Sequence, residues 1–424
     1  MSPVWFKAPA PHPGPDEVAQ VVAGILADVR ARGDAAVREH TRRLDGVDRP
    51  SPVVPRQAAL AALDALDPPL REALEWAHDH IAAFARSQRE ALRPLEVEVE
   101  PGVRAGHRLL PVGAAGCYVP GGRHPLPSTA LMTIVPARVA GVRRVAACAP
   151  PGPDGEIHPV TVAAMALAGA DEIYCMGGAQ AVAALAYGTG TVAPVDVVVG
   201  PGNRYVVEAK RQVYGTVGVD LLAGPSEVCV VADGSAAPEL VVADLLAQAE
   251  HDPDARAVLV TTEERLAQAV VEVVAGRLRT MPAEAAARRA WEGHGEVILV
   301  ADVVEAASVV DRLAPEHVLL HLRDPAPLAE RLTAYGALFV GPSSAEVFGD
   351  YGVGPTHVLP TGGAARFASG LWVGHFLRVA PYLEVSPAGA AALVPVAARL
   401  AEIEGLPGHA YAARLRLPGS LACP

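Results

Sequence analysis

Gln248 and His251 stand three residues apart near the end of a helical pattern that opens at Pro238 and stops at Asp252-Pro253. That spacing projects both side chains from one helix face. An imidazole beside an amide oxygen offers a metal a nitrogen and an oxygen donor, yet the same pair also serves as a polar patch closing a helix. Glu316-His317, preceded by Ala314-Pro315, falls where a helix gives way to a strand at residues 318–320. A carboxylate and an imidazole at such an edge can supply acid and base in turn, although exposed dipeptides of this kind are usually only solvated. Asp350 and His357 share the glycine-rich loop GDYGVGPTH, and Glu404 and His409 flank a break at Gly405-Leu406-Pro407-Gly408. Loops carrying paired ligand types tend to hold function, whereas the second break also reads as plain helix termination.

Three glycine-bearing turns form a second group. Tyr118-Val119-Pro120-Gly121-Gly122, Gly177-Gly178-Ala179-Gln180 and Gly200-Pro201-Gly202-Asn203 each follow a strand and precede a helix. In a parallel sheet such turns gather at the carboxyl edge, where helix N-termini and free backbone N–H groups bind nucleotides. The third glycine of the dinucleotide fingerprint is absent, so tight turning alone is an equal reading of these glycines.

The elements that must position these residues follow from patterning. Residues 15–93 read as helical, with Leu26 and Val29 on one face and Pro68 and Pro69 interrupting later turns. Strands at 117–119, 145–149, 173–176 and 195–199 alternate with helices. One of these helices is capped near Ser128, and another carries Pro159 in its first turn. A second series runs through 228–232, 257–261, 297–300, 318–320 and 338–340. Alternation of this kind predicts parallel βαβ topology in two domains. Beyond Gly341 the chain is rich in glycine and proline, then helical from about 390 to 405. A tail that short must pack on its own domain or on a second subunit.

Bulk properties agree. With 424 residues, 51% hydrophobic and only 4% aromatic, the chain can bury more than one core built from small aliphatic side chains. A formal charge of −12 and the lack of a basic run argue against nucleic acid as a partner. The five cysteines, Cys117, Cys148, Cys175, Cys229 and Cys423, have no disulfide or four-thiolate spacing, so reduced thiols are expected. MSPVWFKAPA lacks the features of a secretory signal, and the uncharged run at 173–195 is broken by Gly177, Gly178, Gln180 and Pro194. A cytoplasmic protein without a membrane span is expected.

The strings GCYVPGG, GGAQA, VGPGN, EAKRQV, AGPSEV, QAEHD, APEHV, GDYGVGPTHVLPTGG and EGLPGH occur in order across residues 110–410. This ordered series resembles the histidinol dehydrogenase family. The resemblance implies an α/β fold of two Rossmann-like parallel-sheet domains, an N-terminal helical region, and a C-terminal tail that packs on the partner of a homodimer. It assigns residues 118–226 to NAD binding, 1–117 with 227–370 to zinc and substrate, and 371–424 to the exchanged tail. It implies zinc on Gln248, His251, Asp350 and His409, with His409 and Glu404 donated across the interface. The catalytic pair falls on Glu316 and His317: His317 takes the alcohol proton as hydride leaves, and Glu316 helps activate water against the aldehyde. Ser226, His357 and Glu404 match positions lining the substrate pocket, which the zinc residues and His317 complete, and NAD contacts fall on Tyr118, Gln180 and Asn203. The implied reaction carries L-histidinol through L-histidinaldehyde to L-histidine, the last step of histidine biosynthesis, with two NAD.

One stretch departs. Residues 369–378, SGLWVGHFLR, with Trp372 and Arg378, replace an Asp-Phe and Lys-Arg pattern and are similar to a paralogous branch that includes sulfopropanediol dehydrogenase. Arg123 in GGRHP leans the same way, whereas the acidic Glu404 favours a cationic or hydrogen-donating group over a sulfonate. Another small polar alcohol such as 2,3-dihydroxypropane-1-sulfonate is therefore the alternative substrate. A zinc hydrolase using Glu316 without NAD, or a non-catalytic zinc scaffold, stands further off.

Overall fold

The structure, a computed structural model, describes residues 4–7, 16–121, 124–280 and 284–417. The chain divides into two units, Met1–Ser87 with Val112–Phe376, and Gln88–Pro111 with Leu377–Pro424.

The first unit holds two six-stranded sheets. In spatial order one runs Val53–Val54, Glu172–Cys175, Arg144–Ala149, Ala114–Tyr118, Val197–Val199 and Gly218–Val219. The other runs Val4–Lys7, Glu296–Leu299, Arg256–Thr261, Glu227–Ala232, His317–His321 and Ala337–Val340. Each is parallel apart from its first-named edge strand, which is antiparallel. Numbered along the chain, the parallel strands of both sheets follow the order 3-2-1-4-5. That is the doubly wound order, with a ligand crevice where strands 1 and 4 part. The central strands are runs rich in Val, Ala, Ile and Cys buried on both faces, which is why they read as continuous apolar segments rather than as alternating ones. A mixed α/β fold on parallel sheets is therefore what the chain adopts. Cys117, Cys148, Cys175 and Cys229 are buried and unpaired in these sheets, and Cys423 lies outside the described residues. Among the described residues no helix is long and apolar enough to cross a membrane.

Two local readings change. Leu126, not Ser128, precedes the helix Pro127–Ala140, and Pro127 occupies its first position, where a missing N–H costs nothing. Pro68 and Pro69 likewise open the helix Pro68–Ala91 instead of interrupting it. Of the N-terminal helices, grouped above with residues 227–370, Asp16–Arg32 and Asp34–Leu44 instead lie on the other sheet, whereas Ala77 and Phe84 of Pro68–Ala91 meet Gly352 and Gly354. Val22, Ile25, Leu26 and Val29 of Asp16–Arg32, and Val37 of Asp34–Leu44, share one core with Val182, Leu185 and Val206. Asp34 adds a polar tie, accepting from the Thr191 hydroxyl at 2.9 Å.

The second unit pairs Leu377–Val385 with Val103–Pro111, and Val103–Pro111 with Leu95–Glu100, in an antiparallel sheet. Helices Pro387–Ile403 and Pro407–Arg414 follow and meet through Ala398, Ala401 and Ala410. The tail helix was expected; the sheet before it was not.

One buried ion pair fixes the turn after Val197–Val199. Gly200 has φ +115°, and a Cβ there would fall on the Tyr118 carbonyl, so only glycine fits. Its N–H donates to Asp220 Oδ2 at 2.7 Å and its carbonyl accepts from Lys210 Nζ at 2.9 Å. Lys210 and Asp220 form an ion pair, both side chains almost fully buried. Lys210→Met should strand the Asp220 charge and cost roughly 3–5 kcal/mol. Chemical denaturation measures this, and an unchanged midpoint and slope would mean the pair does not hold the turn.

Candidate active site

Glu227–Ala232 and His317–His321 are neighbouring strands, the first and fourth of their sheet, with Val228 level with His317. Their amino ends carry the polar cluster. Glu316 Oε2 accepts the Glu227 N–H at 2.9 Å, and His317 Nδ1 lies 3.2 Å from the Glu227 carbonyl oxygen. A carbonyl only accepts, so the ring proton sits on Nδ1 and Nε2 carries the basic lone pair. Burial lowers the His317 pKa to about 4 against the opposing charge of Asp350, so the imidazole is neutral at physiological pH. Burial pushes the Glu316 carboxyl well above the ordinary range, with the Glu227 N–H working the other way.

The pair does not stand alone. One donor atom each from His317, Glu346 and Asp350 lie within 4.8 Å of one another. Glu346 opens the short helix Glu346–Asp350 and is 3% exposed. Its Oε1 is 3.6 Å from His317 Nδ1, and its Oε2 accepts from the Gln248 side-chain amide at 3.2 Å. Burial first, then the charges of Asp350, Glu316 and Asp244, push its carboxyl well up. Sequence reading missed this residue because a glutamate in the first turn of a helix looks like ordinary dipole complementation. Its spacing of four from Asp350 was the available signal. Among the described residues, Glu316, Glu346 and Asp350 form no ion pair with lysine or arginine; their charged contacts are His317 and His357. Buried carboxylates in that state call for protons or a cation, and the mixture of oxygen and imidazole donors fits zinc.

Gln248 is buried near the end of the helix Pro238–Ala249. His251 is not on that helix as expected. Glu250 caps it, so His251 lies in the following turn, exposed, yet close enough for its charge to oppose protonation of His317 and His357. His357 is held at both nitrogens, Nε2 2.9 Å from Thr129 Oγ1 and Nδ1 3.2 Å from the Asp350 carbonyl. Ser226 is half-buried just before Glu227–Ala232, at the same amino edge. The fold thus brings together Gln248, His251, Glu316, His317, Asp350 and His357, with Ser226 beside them. Glu404 and His409 belong to the second unit, one capping Pro387–Ile403 and the other within Pro407–Arg414, and both are exposed.

The glycine turns occupy the carboxyl edge of the first sheet. Tyr118 is buried, and its hydroxyl accepts the Gly178 N–H at 3.2 Å. Gln180 is fully buried, donates to Asp45 Oδ2 at 3.3 Å, and keeps an unpartnered Oε1. Asn203 caps the helix Arg204–Val213 through Oδ1, at 3.0 Å from the Tyr205 N–H. Its amide NH2 is left to donate. An orphan buried oxygen and uncapped N–H groups at a helix start fit a polar, anionic ligand such as a dinucleotide. Of the departing stretch, Val373–Phe376 forms a tight turn in which the Trp372 N–H donates to His375 Nδ1 at 3.3 Å; Arg123 lies outside the described residues.

Comparison with known proteins bears on the family of the chain. Residues 10–417 match the histidinol dehydrogenase family. A histidinol dehydrogenase of Thermus thermophilus is 48% identical over 94% of each chain. A "histidinol dehydrogenase homolog 1" of Mesorhizobium japonicum is 47% identical over 95% of this chain and 81% of its own. The crystal structure of histidinol dehydrogenase from Elizabethkingia anophelis superposes with a TM-score of 0.91 at 32% identity, covering 96% of this chain and 94% of that one. With the match spanning both sheets, the polar cluster and the tail, this chain belongs to the histidinol dehydrogenase family.

Proposed function

We propose that the protein oxidises L-histidinol to L-histidine through L-histidinaldehyde, reducing two NAD, as a zinc-containing homodimer. The observation that carries this reading is His317, a buried neutral imidazole whose Nδ1 is spent on the Glu227 carbonyl, beside a carboxylate cluster that needs a cation.

Zinc on Gln248, His251, Asp350 and the partner subunit's His409 would polarise the alcohol oxygen and hold the substrate amine. NAD at Tyr118, Gln180 and Asn203 supplies the hydride acceptor. His317 removes the alcohol proton at Nε2 as the carbon is oxidised. Glu316, anchored on the Glu227 N–H, directs water at the aldehyde for the second oxidation. Ser226 and His357 line the pocket, and Glu404, contributed like His409 across the dimer, accepts from the imidazole of the substrate. The exposure of Glu404 and His409 in the single chain supports that contribution. A second reading, oxidation of an anionic diol such as 2,3-dihydroxypropane-1-sulfonate, is favoured by the departing stretch around Trp372 and by a relative named only as a homolog.

The discriminating assay is purified protein with zinc, NAD and either substrate. Two NADH per L-histidinol are expected. NADH from the sulfonate diol alone would replace the substrate, and none from any alcohol would favour a hydrolase. Glu316→Gln should slow oxidation of supplied histidinaldehyde more than that of the alcohol, and equal losses would remove its water-directing role.

The metal reading has its own test. A carboxyl whose folded-state pKa is raised contributes stability at low pH that is lost as pH rises through it. Metal-free protein should therefore lose stability relative to its Glu346→Gln variant as pH rises above the ordinary carboxylate range. Zinc should cancel that difference, while the variant binds zinc roughly 10–100-fold more weakly. A stability difference independent of pH in thermal melts would show that Glu346 bears no buried charge.

A further inference from the structure

We propose that Asp45 selects NAD over NADP. Its carboxylate, held against the buried Gln180 amide, accepts a hydrogen bond from an adenosine ribose hydroxyl and repels a phosphate ester in that place. The inference rests on the reading above that a dinucleotide binds at the turns bearing Tyr118 and Gln180.

Dinucleotide sites of this strand order usually take the ribose on an acidic side chain at the end of the second strand. Here that strand, Arg144–Ala149, runs into Pro150-Pro151, and its neighbour Glu172–Cys175 runs into Met176-Gly177. Neither ends in a carboxylate. The acid comes instead from outside the βαβ unit: Asp45 caps the C-terminus of Asp34–Leu44, a helix packed on Gly178–Tyr187. Its Oδ2 receives the Gln180 amide at 3.3 Å, and its charge reaches Tyr118 and Cys175. It is therefore at the start of the helix whose first N–H groups and orphan Gln180 Oε1 await a ligand.

Asp45 has no basic partner among the described residues. Arg49, near enough to influence Cys175, is tied to Glu156 at 2.5 Å and to the Gly155 carbonyl at 3.2 Å. Sites that accept the 2′-phosphate supply an arginine for it. This one offers a half-buried carboxylate, whose desolvation raises its pKa to about 6 and leaves it ionised above neutrality. A phosphate ester of roughly −1.5 to −2 charge meets like charge there.

The test titrates NADH and NADPH fluorescence against the zinc-loaded protein at slightly alkaline pH, without substrate. Wild type should bind NADH more tightly than NADPH. Gln180→Leu, which removes the shared amide, should weaken both. Asp45→Asn, an isostere that still accepts from Gln180, and Asp45→Ser should each shift the NADH-to-NADPH affinity ratio toward NADPH by about tenfold. If Gln180→Leu binds NADH like wild type, the location of the nucleotide is wrong and the inference falls with it. If Gln180→Leu weakens NADH while both Asp45 variants keep the wild-type ratio, the nucleotide stays where it was placed and Asp45 loses its role.

Discussion

Burying Glu316 and Glu346 beside the half-buried Asp350 is the constraint from which the rest of the site follows. Removing a carboxylate from water costs several kcal/mol unless opposite charge or hydrogen bonds compensate. The protein supplies backbone N–H groups, an amide and imidazoles, but no lysine or arginine paired to these three among the described residues. Compensation is thereby left to a species that can come and go. The same desolvation that disfavours charge on the carboxylates keeps the His317 imidazole neutral.

Two sheets of one strand order meet this demand from opposite ends. In the first, the working residues follow the carboxyl ends of the strands, as parallel sheets ordinarily arrange them. In the second, Glu227 and His317 stand at the amino ends of the two central strands. The helix Pro127–Ala140 joins these edges: it begins after the Tyr118 strand, and its Thr129 reaches His357 at 2.9 Å. A turn of the first sheet is thus tied to the carboxylate cluster of the second. The Lys210–Asp220 pair beneath Gly200 stiffens the next turn along.

The parallel strands were legible because both faces are buried, so apolar runs such as 145–149 and 257–261 admit few other readings. Gln248, His317 and Asp350 were legible as residue types in ordered motifs. Glu346 was not, since His317 and Gln248 lie about thirty and a hundred residues away in sequence and, next to Asp350 alone, the residue looks like a helix start. His251 was placed on a helix because spacing of three suggested it, and one residue of capping at Glu250 moved it off. Packing of the N-terminal helices was illegible for a different reason: an apolar face says that a partner exists, not which one. Leu95–Glu100 alternates Leu, Glu, Val, Glu, Val, Glu, a strand pattern plain enough in isolation, but every residue is exposed, so no core demanded it.

That small sheet has a consequence for how the protein is made. Val103–Pro111 is flanked by Leu95–Glu100, its neighbour in sequence, and by Leu377–Val385, which leaves the ribosome only after both large sheets have been translated. Through most of synthesis the early strands form a lone hairpin, a marginal structure with an open edge. Leu95, Val97 and Val99 are exposed even in the finished chain. A nascent chain is thus committed to carrying a sticky edge until residues 377–385 emerge, and a message truncated before residue 377 never covers it.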